Sequence, residues 1–311
     1  MTLQQLEYII ALDTHRQFSA AAAACHVSQP SLSALVQKLE DELGVKIFDR
    51  SRQPVAPTEI GQEIIAQARL VLQEANHLRE LVSDHRENIT GDFRLGIIPT
   101  LAPYLLPLFL KKFAEKHPLV NLSVSERTTE GLLRMLQQNQ LDAALLATPT
   151  GETGMTEMPI FQEEFAAYAP HEPSVLEKRY LLAKDIDPNR LVLLEEGHCL
   201  RKQVINLCQL QKEQSRFRNI HYEAGSLETL RRLVEAHSGI TILPQLALMD
   251  LDEDQIQNVR FFQPPAPVRE ISLVTRRIFS KAKLLHALRD VIVENLPQAV
   301  LGMKEGRVLG V

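Results

Sequence analysis

The chain has 311 residues, 45% hydrophobic and 23% charged, the composition of an ordinary soluble protein rather than a disordered or collagen-like one. A net charge of −5, no tryptophan and only 5% aromatics argue against a general polyanion binder or a base-stacking platform for single strands, while leaving room for one small nucleic-acid-binding module. No apolar run approaches the ~18 residues of a membrane span, the opening residues carry no basic signal-peptide region, and three cysteines are too few and too odd for a secreted disulfide framework, so a cytoplasmic chain with no membrane partner is expected.

The first 57 residues read as a separate small unit. Leu3, Leu6, Ile9, Ile10 and Leu12 recur at helical spacing; Ser19 is placed to cap an alanine-rich helix over 20–25, and Ser28 to cap the next one. In that helix Leu32, Leu35, Val36, Leu39 and Leu43 form one apolar stripe, which Gly44 stops. The tight His26-Val27 connection makes the pair a helix-turn-helix. Beyond Gly44, VKIFDRSRQPVAPT has strand character at Ile47 and Phe48 and a basic tip at Arg50 and Arg52, the pattern of a short hairpin or wing. Thr58 then opens a long helix with no internal proline. Its Ile64, Ala68, Val71, Ala75, Leu78 and Val82 follow steps of four and three, a narrow seam that suits pairing between two chains; packing on its own domain is the competing reading.

From Asp92 the pattern changes to short β-rich runs (FRLGII, LVNLSVS, LDAALLA, LVLLEE, ITIL, REISLV) alternating with helical stretches at 105–116, 131–139, 200–210 and 227–236. Such alternation predicts parallel sheets with crossover helices. About 220 residues exceed one small sheet, so two α/β lobes are expected. Ligand crevices in open α/β sheets lie beyond the carboxyl ends of strands, which points to 98–100, 125–129, 196–199 and 225–226.

On the capped helix after Ser28, Pro30, Ser33, Ala34, Gln37 and Lys38 lie opposite the apolar stripe, with Gln29 and Ser31 at the exposed N-terminus. A recognition helix reads base edges with such residues, and glutamine pairs well with adenine in the major groove. Residues 1–65 hold five Lys/Arg against eight Asp/Glu. Phosphate attraction must then come from a few placed cations such as Arg50 and Arg52, helix N-termini and multiple subunits. A helical protein–protein module is the alternative.

Cys199 stands at the predicted start of a helix, after Glu196-Gly197-His198. A helix N-terminus with Arg201 and His198 nearby stabilises a thiolate. An inert core thiol is the competing reading for Cys199 and more so for Cys208; Cys25 reads as packing. Cys199, Cys208, His198 and His221 lack tetrahedral zinc spacing. The chain has no Cys-x-x-Cys, no Gly-x-Ser-x-Gly elbow and no phosphate-cradling glycine loop. Neither a metal site nor an enzyme is expected.

FSAAAAACHVSQPSLSALVQKLEDELGVKIFDRSRQPVAPTEIG resembles the winged helix-turn-helix of LysR-type transcriptional regulators. LGIIPTLAPYLLP, LLEEGHCLRKQ with Cys208 following, and GSLETLRRLV with GITILP resemble that family's peroxide-sensing members, over nearly the full length up to about Asn295. The resemblance implies a DNA-binding domain at 1–57 and a dimerisation helix at 58–87. It adds a periplasmic-binding-protein-like regulatory domain, with one lobe from 88–162 and 267–311 and a second from 163–266. It implies a double-stranded operator, a homodimer assembling to a homotetramer, and RNA polymerase as a partner. Hydrogen peroxide would be the signal, with no cofactor. Cys199 becomes the peroxidatic thiol and Cys208 the resolving one, with Thr100, Thr129, His198, Arg201, His221 and Arg269 around the peroxide, and a cellular dithiol as the resetting reductant. The chain departs from the family pattern at Lys202, at Glu223 and in a longer stretch between Cys208 and Ser226. Nine residues of helix put the two thiols roughly 14 Å apart on opposite faces, so their helix must unwind before they can join. The alternatives are a LysR-type regulator sensing a metabolite with structural cysteines, a thiol peroxidase, and a solute-binding protein, the last two of which would lack the winged helix.

Overall fold

The computed structural model describes residues 1–83, 89–208, 224–237, 239–277, 279–301 and 306–310, in two units, Met1–Glu87 and Asn88–Val311. The first unit runs α1 (Leu3–His15), α2 (Phe18–Ala24), α3 (Gln29–Leu43), a hairpin of β1 (Phe48–Asp49) and β2 (Ala56–Pro57), and α4 (Glu59–Ser83). Thr2 and Gln5 close a capping box on α1, and Ser28 Oγ accepts from the Ser31 amide at 3.3 Å to start α3. Ser19 is not a cap: α2 begins at Phe18 with Gln17 before it. Gly44, with φ of 71°, ends α3. Leu6, Ile9, Leu12, Ala21, Leu32, Val36, Leu39, Ile47 and Phe48 form the core.

The helix seam splits. Ala68 is buried, with Ile65, in this same core, and Ile64 and Val71 pack against it from the edge. Arg69 also reaches Asp13 of α1 at 2.9 Å. Ala68 is therefore covered by its own domain, because one side of a four-three seam is wide enough to dock on α1. Ala75 is half-buried, and the side chains of Leu78 and Val82 lie outside the described ones.

Glu40, fully inside, ties α3 to the wing. Its Oε1 accepts from the amides of Ile47 (2.9 Å) and Phe48 (3.1 Å), and its Oε2 lies 3.2 Å from Lys46 Nζ and 3.4 Å from Arg50 Nη2. Buried donors left without acceptors are costly. Glu40→Ala is expected to destabilise this unit by about 3 kcal/mol, read as a lowered urea midpoint. Glu40→Gln keeps an acceptor oxygen and should lose clearly less.

The second unit contains β3 (Gly91–Ile97), α5 (Ala102–Lys116), β4 (Val120–Glu126), α6 (Thr129–Gln137), β5 (Ala143–Thr148), β6 (Met155–Tyr168), the one-turn α7 (Pro173–Leu176), α8 (Cys199–Leu207), α9 (Leu227–His237) and β7 (Thr241–Pro244). The one-turn α10 (Glu253–Ile256), β8 (Val259–Phe261), β9 (Pro267–Arg276), α11 (Ala282–Glu294), the one-turn α12 (Gln298–Leu301) and β10 (Arg307–Val308) complete it. The sheet is mixed rather than parallel. Its order is β4-β3-β5-β9-β6-β7, and only β3–β4, β3–β5 and β9–β10 run parallel. Antiparallel pairing arises because β9 returns from the second lobe into the first, beside β5. LVLLEE makes isolated bridges at Leu191 and Leu194 rather than a strand.

β6 has no counterpart in the sequence reading, since MTEMPIFQEEFAAY breaks alternation at Pro159 and the pairing slips there. Its first part, 155–164, pairs with β9; its last residues pair with β7 and β8. β6 and β9 thus cross between two cores. One core gathers Phe93, Leu95, Phe109, Leu132, Leu145 and Leu288, and the other Phe165, Tyr168, Leu193, Leu200, Leu230 and Ile242. Leu309 joins the second core, although the sequence reading places all of 267–311 in the first lobe.

Candidate redox site and nucleic-acid interface

Three chain segments meet where the lobes face each other: the turn after β3, the turn after β4, and the loop leading into α8. Thr100 lies in the first and is buried; Thr129 opens α6 after the second. The third, 195–199, bends at Gly197, whose φ of 92° excludes most side chains and whose absent Cβ would lie 3.7 Å from Thr128 Cγ2. That contact places the loop against the start of α6. His198 is buried, with Nε2 3.6 Å from Glu195 Oε1. Cys199, the first residue of α8, is buried in the first lobe's core, although its helix belongs to the second lobe. The Thr129 hydroxyl is buried and has no hydrogen-bond partner among the described residues.

Under these turns lies a fully buried ion pair. Arg269 of β9 and Glu163 of β6 stand opposite each other in register, and Arg269 Nε donates to Glu163 Oε1 at 2.8 Å. Arg269 also donates from Nη1 to Thr100 Oγ1 (3.0 Å) and from Nη2 to the Thr100 carbonyl (3.2 Å). Glu163 Oε2 accepts from the Leu246 amide at 2.9 Å. Each charged group is thus bonded to a second partner as well as to the other. The family resemblance points to Arg269 and Thr100, whereas nothing in the sequence marks Glu163, which sits in the unrecognised strand.

Arg201 donates from Nη1 to the Leu194 carbonyl at 2.7 Å, which ties α8 back to the chain before its loop. His221 and Glu223 lie outside the described residues. Cys208 caps the far end of α8, donating its amide to the Val204 carbonyl at 3.0 Å, and packs against the second core. Burial pushes its thiol up to about 11. All three cysteines are free thiols. Among the described residues no cluster of His, Cys, Asp or Glu could hold a metal, and no helix is long and apolar enough to cross a membrane.

On α3, Gln29, Pro30, Ser31 and Lys38 are exposed, and Ser33 and Gln37 half-buried, so one face presents these six side chains. Gln37 Nε2 donates to Asp41 at 2.6 Å. The two wing arginines differ. Arg50 lies 5.2 Å over the Phe18 ring and also reaches Ser33 and Glu40, which makes it part of the scaffold. Arg52 is exposed and pairs only at the surface, with Asp49 at 3.0 Å.

Comparison with known proteins bears on this arrangement. Residues 3–62 match the bacterial regulatory helix-turn-helix protein of the lysR family, and residues 86–297 match the LysR substrate binding domain. The chain belongs to the LysR family of bacterial regulatory proteins. Within it, the chain resembles OxyR over most of its length. It is 39% identical over 281 residues to the hydrogen peroxide-inducible genes activator of Dickeya chrysanthemi, covering 89% of this chain and 90% of that one. It is 37% identical over 277 residues to the DNA-binding transcriptional dual regulator OxyR of Escherichia coli, with 89% and 90% covered. Among solved structures, a full-length cysteine-to-aspartate variant of OxyR from Pseudomonas aeruginosa aligns with a TM-score of 0.80 at 34% identity, over 95% of this chain and 99% of that one. A peroxide-bound cysteine-to-serine variant of Corynebacterium glutamicum OxyR aligns at 0.62 and 28%, over 100% and 98%.

Two outcomes are expected of this site. With its thiol near 11, Cys208 is about one part in a thousand thiolate at pH 8. Its alkylation in the reduced protein, followed by mass mapping, should be slow and rise roughly tenfold per pH unit. In the ion pair, Arg269→Met or Glu163→Leu alone should each cost about 3–5 kcal/mol by leaving a buried charge unpaired, whereas the double variant should lose much less than the sum, measured by urea denaturation.

Proposed function

We propose that this chain is a hydrogen-peroxide-sensing, DNA-binding transcriptional regulator switched by a reversible Cys199–Cys208 disulfide. The observation that carries the reading is the placement of the two thiols. Cys199 heads α8 and shares the first core with Ile98 and Leu101, which flank Thr100, and its loop approaches Thr128, next to Thr129, while Cys208 caps the same helix against the second core. Support also comes from the near-full-length relatives named as peroxide-inducible activators.

The chemistry follows from that placement. The Cys199 sulfur, as thiolate, attacks one peroxide oxygen. The O–O bond breaks, Cys199 becomes a sulfenic acid, and the second oxygen leaves as hydroxide, which takes up a proton to give water. The Thr129 hydroxyl, without a partner among the described residues, and the Thr100 hydroxyl held by Arg269 offer the donors and acceptors a peroxide needs, with buried His198 in the loop that leads into α8. Cys208 then attacks the sulfenic sulfur, releasing a second water and forming the disulfide. In the reduced fold the two are one helix length apart, roughly 14 Å along the axis, whereas a disulfide needs Cα atoms within about 7 Å. Residues 200–207 must therefore leave the helix. A cellular dithiol reverses the step by exchange.

In this reading the chain is cytoplasmic and works as a homodimer that assembles to a homotetramer. It binds a double-stranded operator through Gln29, Pro30, Ser31, Ser33, Gln37 and Lys38, with Arg52 on phosphate and Arg50 holding the wing, and it engages RNA polymerase. The test treats the reduced protein with stoichiometric peroxide, and combines peptide mapping with operator footprints for wild type and Cys208→Ser. Wild type should show a 199–208 crosslink that dithiol removes and a changed footprint. The variant should stop with one added oxygen on Cys199. No crosslink, or a crosslink with an unchanged footprint, would overturn the proposal.

A further inference from the structure

One short strand touches both the redox helix and the strand beneath the pocket. β10 pairs in parallel with β9, Arg307 beside Pro267 and Val308 beside Val268. The Arg307 amide donates to the Ala266 carbonyl at 3.0 Å and the Leu309 amide to the Val268 carbonyl at 2.9 Å. The approach is tight: a Cβ on Gly306 would fall 2.4 Å from Val268 Cγ1 and 2.8 Å from the Ala266 carbonyl oxygen, so glycine is required there. Leu309 is buried in the second core. Its carbonyl accepts from Gln203 Nε2 at 2.9 Å.

Gln203 sits on α8 between the two cysteines and is fully buried. Its Oε1 has no partner among the described residues, so the bond to Leu309 is the one that compensates the burial of this amide there. Val268, to which the segment is bonded, adjoins Arg269, which holds Thr100.

We propose that segment 306–310 is a clamp that holds α8 helical and sets the threshold of the thiol switch, with Gln203 as its positioning residue. The inference rests on the peroxide-switch reading. Unwinding 200–207 carries Gln203 away from Leu309 and leaves a buried carbonyl without its donor. The clamp therefore opposes the second chemical step, in which Cys208 attacks the Cys199 sulfenic acid and water leaves. It has no part in the first, in which peroxide oxidises Cys199 while α8 is still intact. Stabilising the reduced fold also makes the couple more oxidising.

The experiment uses the full chain and two variants, deletion of 306–311 and Leu309→Ala, the second serving if the deletion does not fold. Hydrogen peroxide is the oxidant. Trapping with a sulfenic-acid probe gives the rate of Cys199 oxidation, quenched-flow alkylation gives the rate of disulfide closure, and a thiol–disulfide redox buffer gives the midpoint. Cys199 oxidation should be unchanged. Closure should be about tenfold faster, and a tenfold shift of the redox equilibrium lowers the midpoint by about 30 mV. General loosening of the fold would instead alter both steps, and that result overturns the clamp. So does closure at or below the wild-type rate with an unmoved midpoint. If wild type itself forms no 199–208 disulfide, the failure belongs to the peroxide-switch reading on which the clamp rests.

Discussion

The buried pair of Glu163 and Arg269 sits on the two strands that pass between the lobes, and the geometry of the cleft depends on it. An arginine without its carboxylate could not remain at this depth, and the carboxylate in turn holds the Leu246 amide at the start of the turn after β7. Because Arg269 spends its other donors on Thr100, the turn after β3 is anchored from below by a group that belongs to neither of its flanking elements. Leu246 and Cys199, both from second-lobe segments, are drawn into the first core. The lobes thus meet through a shared polar anchor with apolar contacts around it. Such an anchor fixes one arrangement of the cleft at the cost of desolvating two charges, which is a way of choosing specificity over raw stability.

Against that fixed floor, α8 is held from several sides and carries a buried amide on one of its faces. Arg201 ties its first turn to the Leu194 carbonyl, Cys199 is packed at its head and Cys208 at its foot. Between them Gln203 buries an amide whose oxygen has no partner among the described residues, a conflict that a leucine would not create. A helix of nine residues has little intrinsic stability in water, so its persistence here comes from packing and from those few bonds. The proposed switch, in which α8 comes apart when its two ends are joined, has few bonds to break in a helix held this way.

Much of the first unit was legible in the sequence because its information is local. The stripe Leu32–Leu35–Val36–Leu39, the cap at Ser28 and the stop at Gly44 are each readable within one helix and are present, whereas Leu43, read as the end of that stripe, is exposed in the last turn. The four-three seam of α4 was legible as apolar but not in its destination. Periodicity says which face is buried and is silent on the partner, and Ala68 found α1 of its own chain. In the second unit the strand-to-helix turns at Thr100 and Cys199 are legible and Arg269 comes from the family resemblance, while Glu163 and Gln203 there, and Glu40 in the first unit, carry no local signal. All three are polar residues in apolar surroundings whose partners lie 6 to 106 positions away along the chain. No local pattern marks such a residue. β6 was missed for a related reason: its acidic residues and Pro159 resemble a loop until Arg269 and β9 are set beside them.

The charge of the first unit carries the reasoning a step further. Of the two arginines on the wing, Arg50 is committed to Phe18, Ser33 and Glu40, so the free positive charge offered by the wing is closer to one than to two. Lys46 is likewise drawn toward Glu40. Counterion release scales with the number of phosphates neutralised, and a single copy of such a module would hold a duplex weakly at physiological salt. The base reading proposed for the six side chains on α3 then needs something else to supply the residence time. Repetition of the module supplies it: linked copies bind with an avidity that one copy lacks, provided their spacing matches the duplex. An assembly whose copies shift their spacing can therefore change which sites it holds without altering a single base contact. For a module with so few uncommitted cations, avidity between linked copies is the physical route to tight binding of a duplex.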